Sequence, residues 1–393
     1  MTQQLTVIFK PTSRCNLRCK YCYAAREREC FDSVVSQDEA KRAFDWVRKY
    51  CEELNVKDLT VIWHGGEPLI MGKDYIERCI DYYTSIHNSI GVRVRNQVQT
   101  NLTLATDEFV PLLKKSFDSR VGFSLDYNSN TRLFANGTDA TSAILDNALR
   151  LKKEGVNLGA ISMLTARNVG CVREIYDWFK GMGIPFRLNR MFPTSLNETN
   201  IADSVSAEQY ANAVCELFDI WLDDPEPAFV ETVQGAVQAY LRDISKLCSV
   251  AGQCSESFLC ITGNGTLLPC GRFDTDTYAI GNYKTDSVGD VLSKKRAIAH
   301  LGEKRDCSNK CAECKWRSLC VAGCLHSRLF GWQDDECVTN KIIWQHLDEV
   351  LPSMGLERGF LKNISREDAE ELAKKLNMQG PDEAVVGYMA LSR

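Results

Sequence analysis

The sequence has no long hydrophobic run and no excess of basic residues. Its apolar stretches fall well short of the roughly 18 residues that suggest a membrane-spanning helix. Lys and Arg number 47 against 52 Asp and Glu, a net charge of −5, so the charge balance predicts neither a nucleic-acid nor an anionic-membrane partner. The amino terminus lacks the basic start and apolar stretch of a signal peptide. We therefore expect a cytoplasmic protein with no nucleic-acid partner and no membrane partner.

Low complexity and internal repeats are also missing. Hydrophobic residues make up 44% of the 393 residues and charged residues 25%, which is ordinary globular composition and excludes disorder as the main theme. A chain of this length is expected to form two or three domains.

Cysteine, by contrast, is abundant. The chain has 18 cysteines, although disulfides seldom persist inside cells and clustered thiols there more often bind metal. Three lie together at Cys15, Cys19 and Cys22, and ten lie between Cys248 and Cys337. The cysteines therefore predict two metal-binding regions.

The first half of the chain alternates strand-like and helical segments. Strands are predicted at 5–10, 59–63, 92–98, 121–125, 157–163 and 186–189. The first helix has a capping-box signature, Ser36 and Glu39, and further helices are predicted near 72–86, 106–115, 141–154 and 169–181. Six β-then-α units favour a parallel sheet with right-handed crossovers. Because six units fall short of eight, we expect an α/β fold with a partial (β/α)6 TIM-like barrel.

The second half reads differently. Residues 206–246 are helical without new strands, and a cysteine-rich stretch follows. We predict domains at 1–240, 241–345 and 346–393, the last a helical tail. A helix is expected near 339–353, and another from Ser365 to about Met378.

Cys15, Cys19 and Cys22 follow the first strand with the spacing C-x3-C-x2-C. Thiolates are the natural ligands of iron–sulfur clusters. Three thiolates on a four-iron cluster leave one iron open for chemistry. Two alternatives remain at this point: a zinc knuckle with Cys30 as fourth ligand, or three thiols that bind no metal.

Residues 14–23, RCNLRCKYCY, resemble the cluster loop of the radical SAM enzymes, including the aromatic Tyr21 before the third cysteine. The resemblance implies that the open iron binds S-adenosylmethionine. An electron from the cluster then cleaves the sulfonium, and the 5′-deoxyadenosyl radical removes a hydrogen atom from the substrate. The protein positions and shields this cofactor chemistry.

Three further motifs follow later strands. Gly65, Gly66, Glu67 and Pro68 resemble the GGEP motif of the family, which holds the methionyl ammonium. Polar residues at the ends of the third and fourth strands resemble the family's other cofactor contacts: Gln99, Asn101, Ser124 and Asp126. Taken alone, each motif is an ordinary glycine turn or polar strand end. Because the carboxyl ends of parallel strands share one face, we expect all of them at one cofactor site.

The cysteine-rich region resembles the SPASM domain, an extension that carries two auxiliary clusters. The resemblance implies two ligand sets, Cys254, Cys260, Cys270 and Cys324 for the first and Cys311, Cys314, Cys320 and Cys337 for the second. With the amino-terminal triplet, this makes three 4Fe-4S clusters and one bound S-adenosylmethionine. The alternative is a pair of zinc sites. Two spare cysteines, Cys248 and Cys307, are possible replacements for an assigned ligand.

The remaining cysteines fall on helical patterns, and we expect them in the core. They are Cys51, Cys79, Cys171 and Cys215.

Known SPASM enzymes modify peptides and proteins, and the resemblance implies a peptide maturase. Sulfatase maturases have an Asp after the cysteine of Gly-x4-Cys, where this chain has Gly271. Many crosslinking enzymes have an added amino-terminal recognition domain, for which a first strand beginning near residue 5 leaves no room. We therefore predict a carbon–carbon or carbon–sulfur crosslink, with maturases of three-residue cyclophanes as the favoured subclass. The alternatives are formylglycine generation, small-molecule dehydrogenation, and a non-enzymatic zinc or electron-carrier protein.

Five polar or charged residues are candidates for contact with the substrate. Arg272 and Asp274, beside the first auxiliary cluster, are the catalytic candidates, and Arg187, Asn189 and Arg190 on the sixth strand are further candidates because Arg can bind a carboxylate with two hydrogen bonds. A solvated or structural role is the alternative for each. His64 either faces the cofactor or only ends a strand, and His326 is expected in the SPASM shell. We expect a peptide substrate and an external electron donor such as flavodoxin or ferredoxin.

Overall fold

The computed structural model describes residues 4–25, 32–117, 121–191, 203–244, 250, 257–273, 277–304, 311–320 and 323–362. The chain divides into two compact units, each assembled from separate stretches. The first is Met1–Met163 with Met191–Ser204 and Gln253–Arg305, and the second is Leu164–Arg190 with Val205–Gly252 and Asp306–Arg393. The predicted domain boundaries near 240 and 345 stay a prediction.

The described residues form nine strands. They are β1 (Gln4–Phe9), β2 (Asp58–Trp63), β3 (Arg93–Thr100), β4 (Val121–Ser124), β5 (Leu158–Leu164), β6 (Phe186–Arg190), β7 (Phe258–Ile261), β8 (Thr266–Leu268) and β9 (Gly281–Asn282). In the first unit the sheet order is β5-β4-β3-β2-β1-β7-β8-β9. Strands β1 to β5 pair in parallel, β7 pairs in parallel with β1, and β8 and β9 continue antiparallel.

The described residues also form eleven α-helices. They are α1 (Gln37–Glu53), α2 (Lys73–Asn88), α3 (Val110–Ser116), α4 (Thr141–Lys153), α5 (Val172–Met182), α6 (Ala207–Asp223), α7 (Glu231–Arg242), α8 (Val288–Lys304), α9 (Arg317–Cys320), α10 (Leu325–Phe330) and α11 (Gln333–Val350). Each of the first five strands is followed by at least one helix, which confirms the predicted parallel α/β architecture. No helix in these described ranges is long and apolar enough to cross a membrane.

The core of the first unit follows from alternation along the strands. Phe9 and Trp63, from β1 and β2, are buried. Phe9 makes edge contacts with Trp63, at 5.3 Å between ring centroids, and with Phe44 of α1, at 5.1 Å. Helix α1 begins with the predicted capping box, in which the Ser36 hydroxyl accepts from Glu39 N and the Glu39 carboxylate accepts from Ser36 N. The buried stripe of α1 thus packs on the sheet and fixes the strand ends that carry the motifs.

The second unit contains a helical layer. Helices α6 and α11 pack together, with Thr339 Oγ1 donating to the carbonyl of Ala207 and His346 lying 2.8 Å from Asp219. Helix α7 joins them through Tyr240, whose hydroxyl donates to Asp348. These contacts orient α11, which carries Cys337.

Sequence and structure differ in several places. The segment predicted as one helix at 106–115 splits into a 3-10 turn at Asp107–Phe109 and α3, because Pro111 enters at the start of the α-helix. Strands β7 to β9 were not predicted. Cys51 and Cys79 are buried as expected, but Cys215 is only half-buried and Cys171 precedes α5 rather than lying inside it. The helix predicted from Ser365 lies outside the described residues.

Candidate functional site

The loop that carries the first three cysteines begins directly after β1. It is held by the glycine turn after β2, where Gly66 N donates to Thr12 O (2.9 Å) and Glu67 N donates to Arg14 O (2.8 Å). A Cβ added to Gly65 would lie 2.4 Å from Thr12 O, and one added to Gly66 would lie 2.0 Å from Arg14 O. Only glycine permits this approach of two backbones. The Gly-Gly pair therefore positions the cysteine loop.

Two of the three cysteine sulfurs receive N–H groups. Leu17 N lies 3.4 Å and Asn101 Nδ2 lies 3.9 Å from Cys15 Sγ, and an Arg132 nitrogen lies 4.0 Å from Cys19 Sγ. Burial, with a smaller effect from nearby Glu67, Cys22 and Cys19, raises the pKa of Cys15 to about 12 against the opposing effect of the Leu17 N–H. A thiolate at Cys15 therefore needs a cation, which bound iron supplies.

Glu67 is buried and ties two strand ends together. Its carboxylate accepts from Thr100 Oγ1 (2.7 Å), Asn101 N (2.7 Å) and Leu69 N (3.0 Å). Burial raises the pKa of Glu67 to about 7 against the opposing effect of these donors. The carboxylate thus links the turn after β2 to the end of β3, and Pro68 begins the short 3-10 turn that follows.

The other motif residues share this end of the sheet. Gln99 Nε2 donates to Ser124 Oγ across neighbouring strands (3.0 Å). Asn101 Nδ2 donates to Asn16 Oδ1 in the cysteine loop (2.9 Å). The structure therefore brings the end of β3 against the cysteine loop and beside the end of β4.

A buried ion pair lies beside these residues. Asp126 is fully buried and accepts from Met163 N (2.8 Å) and from the Tyr21 hydroxyl. It forms an ion pair with Arg132, whose Nε lies 2.9 Å away and whose Nη2 donates to it at 3.4 Å. The Arg132 guanidinium also lies 5.2 Å from the centre of the Tyr21 ring. Sequence reasoning missed Arg132, because an arginine in a polar loop has no local pattern that distinguishes it from a surface residue.

His64 ends β2 next to the glycine turn. Its Nδ1 lies 2.7 Å from Gly65 N, which donates to it, and its Nε2 lies 3.4 Å from the Tyr23 hydroxyl. Burial, together with the charge of Lys10, lowers the pKa of His64 to about 4. His64 is therefore neutral at physiological pH and belongs to the same end of the sheet as the motifs.

These residues fit an iron–sulfur cluster with S-adenosylmethionine. Three cysteines share one loop, and Cys19 and Cys22 lie close enough to Cys15 to raise the pKa of its thiol. A cluster thiolate is stabilised by N–H donors of the kind found at Cys15 and Cys19. Gly65 and Gly66 let the cysteine loop lie directly against the turn after β2, where a Cβ would collide with Thr12 O or Arg14 O.

The first auxiliary set is only partly described. Cys260 is buried on β7, and Cys270 follows β8, the strand that pairs with β7. Gly271 packs on β1, since a Cβ there would lie 2.9 Å from Ile8 Cδ1. Cys254 and Asp274 lie outside the described residues, as do Cys30, Cys248 and Cys307, and Arg272 is half-buried.

The four cysteines of the second auxiliary set border the same cavity, which lies in the second unit. They are Cys311, Cys314, Cys320 and Cys337. Burial, with smaller effects from nearby Cys337 and Cys311, raises the pKa of Cys320 to about 11. Among the residues with described positions, no three His, Cys, Asp or Glu side chains converge as ligands of one metal ion. Four thiols around a cavity fit a cluster of several irons.

The remaining candidates are mostly engaged in structural contacts. Arg187 pairs with Glu231 (3.3 Å) and Arg190 pairs with Asp335 (2.7 Å), while Asn189 is half-buried. Cys324 N donates to Glu336 (3.1 Å), and buried His326 stacks on Phe330. The ion pairs agree with the structural alternative for the two arginines.

Family models match two stretches of the chain. Residues 9–179 match the radical SAM superfamily, and residues 253–315 match the SPASM iron–sulfur cluster-binding domain. The first match covers the cysteine loop and the three further motifs at the strand ends. The second covers Cys254, Cys260, Cys270, Cys311 and Cys314.

Known proteins resemble the chain over most of its length. The cysteine-type anaerobic sulfatase-maturating enzyme of Clostridium perfringens is 25% identical over 338 residues, which cover 82% of this chain and 90% of that enzyme. The solved structure of native anSMEcpe with bound AdoMet and a peptide has a TM-score of 0.75 at 21% identity, covering 89% of this chain and 98% of the other. Streptococcus suis SuiB bound to its precursor peptide SuiA has a TM-score of 0.59 at 16% identity, with 82% and 72% covered.

The structural likeness confirms the fold, including the partial barrel, and the family matches confirm the use of S-adenosylmethionine and iron–sulfur clusters. With the cysteine loop, the glycine turn and the strand-end residues in place, the chain carries a radical SAM domain at residues 9–179 and a SPASM domain at residues 253–315.

Proposed function

We propose that this enzyme oxidatively crosslinks residues of a ribosomally made peptide, using three 4Fe-4S clusters. Bound S-adenosylmethionine and its cluster supply the radical that removes one hydrogen atom from the peptide. Loss of the second hydrogen as a proton leaves one electron, which a cluster held by Cys311, Cys314, Cys320 and Cys337 would be able to take up. The family matches support a radical SAM enzyme with SPASM clusters. The crosslink is what we propose beyond those matches.

Residues of this protein hold the cysteine loop and the strand ends in place for this reaction. The Gly-Gly pair and Glu67 hold the cysteine loop against the end of β3. Buried Asp126 orients Tyr21 and Arg132 at the same end of the sheet. An external donor such as flavodoxin or ferredoxin would deliver electrons.

One observation favours a crosslink over formylglycine. Sulfatase maturases have an Asp immediately after the last cysteine of Gly-x4-Cys. Here that residue is Gly271, which packs on Ile8 and leaves little space for a carboxylate. Without a carboxylate at that position, the enzyme lacks the base expected for aldehyde formation.

Sulfatase maturation is the second candidate, because the relative from Clostridium perfringens covers 82% of this chain. Asp274 keeps a carboxylate close to Cys270 in the sequence. Formylglycine generation therefore needs a direct test.

The test is anaerobic co-expression with each short peptide encoded beside the gene, followed by mass spectrometry. We expect one peptide to lose two hydrogens and to show a fragmentation gap that bridges two residues. The triple variant Cys15→Ala, Cys19→Ala and Cys22→Ala should leave the same peptide unchanged. Intact peptides together with a hydrazide-reactive sulfatase peptide would overturn the crosslink in favour of formylglycine.

A further inference from the structure

One face of α11 lines the cavity of the second auxiliary set. Cys337, Asn340, Lys341 and Trp344 all border it, and they follow one another at the spacing that places residues on one side of a helix. The helix that contributes one cysteine thus presents side chains with N–H groups to the same space, among them Asn340 and Trp344.

Asn340 already contacts a cysteine sulfur. Its Nδ2 lies 3.8 Å from Cys320 Sγ, within the range of an N–H···S hydrogen bond. Cys320 comes from α9 rather than from α11. The amide therefore joins two of the elements that surround the cavity.

Trp344 has a buried donor without an acceptor. The residue is only 2% exposed, and its indole Nε1–H has no hydrogen-bond partner in the described part of the chain. Trp221 in the same unit shows the usual arrangement, since its Nε1 donates to Ala228 O at 3.1 Å. A buried N–H left unpaired is costly. An orphaned donor beside four thiols indicates that a sulfur of the bound cluster is its acceptor.

We propose that Asn340 and Trp344 donate N–H···S hydrogen bonds to the cluster held by Cys311, Cys314, Cys320 and Cys337, and raise its reduction potential. Reduction adds negative charge to the cluster and its sulfurs. N–H dipoles directed at those sulfurs stabilise the reduced state more than the oxidised state. This inference rests on the ligand set of the proposed function.

The test is an anaerobic redox titration of the full-length, reconstituted enzyme followed by electron paramagnetic resonance. Trp344→Phe and Asn340→Leu remove the N–H groups and keep much of the side-chain volume. In each variant we expect one cluster to be reduced about tenfold less at a fixed potential, a downward shift of about 59 mV for a one-electron couple. The other clusters should titrate as in the unaltered enzyme.

The matched control is Trp221→Phe, which removes an indole N–H that donates to a carbonyl and does not line the cavity. Its clusters should keep their potentials. Unshifted potentials in both Trp344→Phe and Asn340→Leu, with the iron content retained, would overturn the inference.

A separate variant tests the ligand set. Cys311→Ser with Cys314→Ser should abolish the reduction step that Trp344→Phe shifts. If every step survives the cysteine replacements, the ligand assignment of the proposed function is wrong. If that step is lost but is unshifted in the Asn340 and Trp344 variants, only the present inference fails.

A measurement on the unaltered chain covers the case in which a variant loses its cluster. With tryptophan labelled with nitrogen-15 in the indole ring, electron–nuclear double resonance of the reduced enzyme should show coupling between a cluster and an indole nitrogen. No such coupling would contradict donation by Trp344.

Discussion

At the scale of single residues, the Asp126–Arg132 pair shows how the site is supported. Both side chains are almost completely inaccessible to solvent, at 0% and 6% exposure. A buried carboxylate is tolerated only when it is paired and hydrogen-bonded, and Arg132, Tyr21 and Met163 N meet that need here. Because Arg132 also approaches Cys19, one side chain couples the core to the cysteine loop.

Replacing Arg132 should therefore destabilise the enzyme strongly. We expect Arg132→Leu to lower the free energy of unfolding by about 3–5 kcal/mol, because it leaves Asp126 as an uncompensated buried charge. The control is Arg93→Leu, which breaks the pair with Asp58 at a side chain that is 74% exposed and should cost less than about 1 kcal/mol. Urea unfolding compares the two. Equal losses would contradict the role given to the buried pair.

At the scale of elements, the helices and strands that were predicted correctly are those marked by local sequence patterns. The capping box of α1 and the first six strands appear because periodicity and caps are local signals. The sheet β7-β8-β9 was missed, since its strands are two to four residues long and gain their stability by pairing with β1 and with one another. For the same reason, the contacts of Glu67 with Thr100 and Asn101 are invisible in the sequence, because they join residues more than 30 positions apart.

The start of α1 carries a pH-dependent contribution to stability. Hydrogen bonds from Lys284 and Ser36 lower the pKa of Glu39 to about 2, below the value of about 4.3 of an unfolded chain. This contribution is therefore complete above the unfolded pKa and is lost as the pH falls toward 2. Glu39→Gln keeps a capping group but removes the charge that pairs with Lys284, a bond of 2.7 Å.

We expect Glu39→Gln to cost roughly 0.5 kcal/mol at pH 7, since both side chains are partly exposed. The difference from the unaltered chain should shrink as the pH is lowered from 5 to 3. Urea unfolding of the metal-free proteins measures it. A difference that grows on acidification would show that the charge of Glu39 is not what stabilises the helix start.

At the scale of the whole molecule, the cysteine distribution predicts the metal inventory. The triplet lies in the stretch matched by the radical SAM model, and five of the eight cysteines assigned to the SPASM sets lie in the stretch matched by the SPASM model. The reconstituted chain should hold about twelve irons, four in each of three clusters. The triple variant of Cys15, Cys19 and Cys22 should lose one third of the iron and all cleavage of S-adenosylmethionine. Cleavage that survives in this variant would show that another cluster binds the cofactor.

The pairing of β7 with β1 has a consequence for the growing chain. On the ribosome β1 emerges first and can pair with β2 soon afterwards, but its other edge has no neighbour until residues 258–261 have been made. An uncovered strand edge invites pairing with foreign strands. The strand that leads into the cysteine loop thus completes its sheet only late in translation. Chains released before that point should aggregate more readily than longer ones.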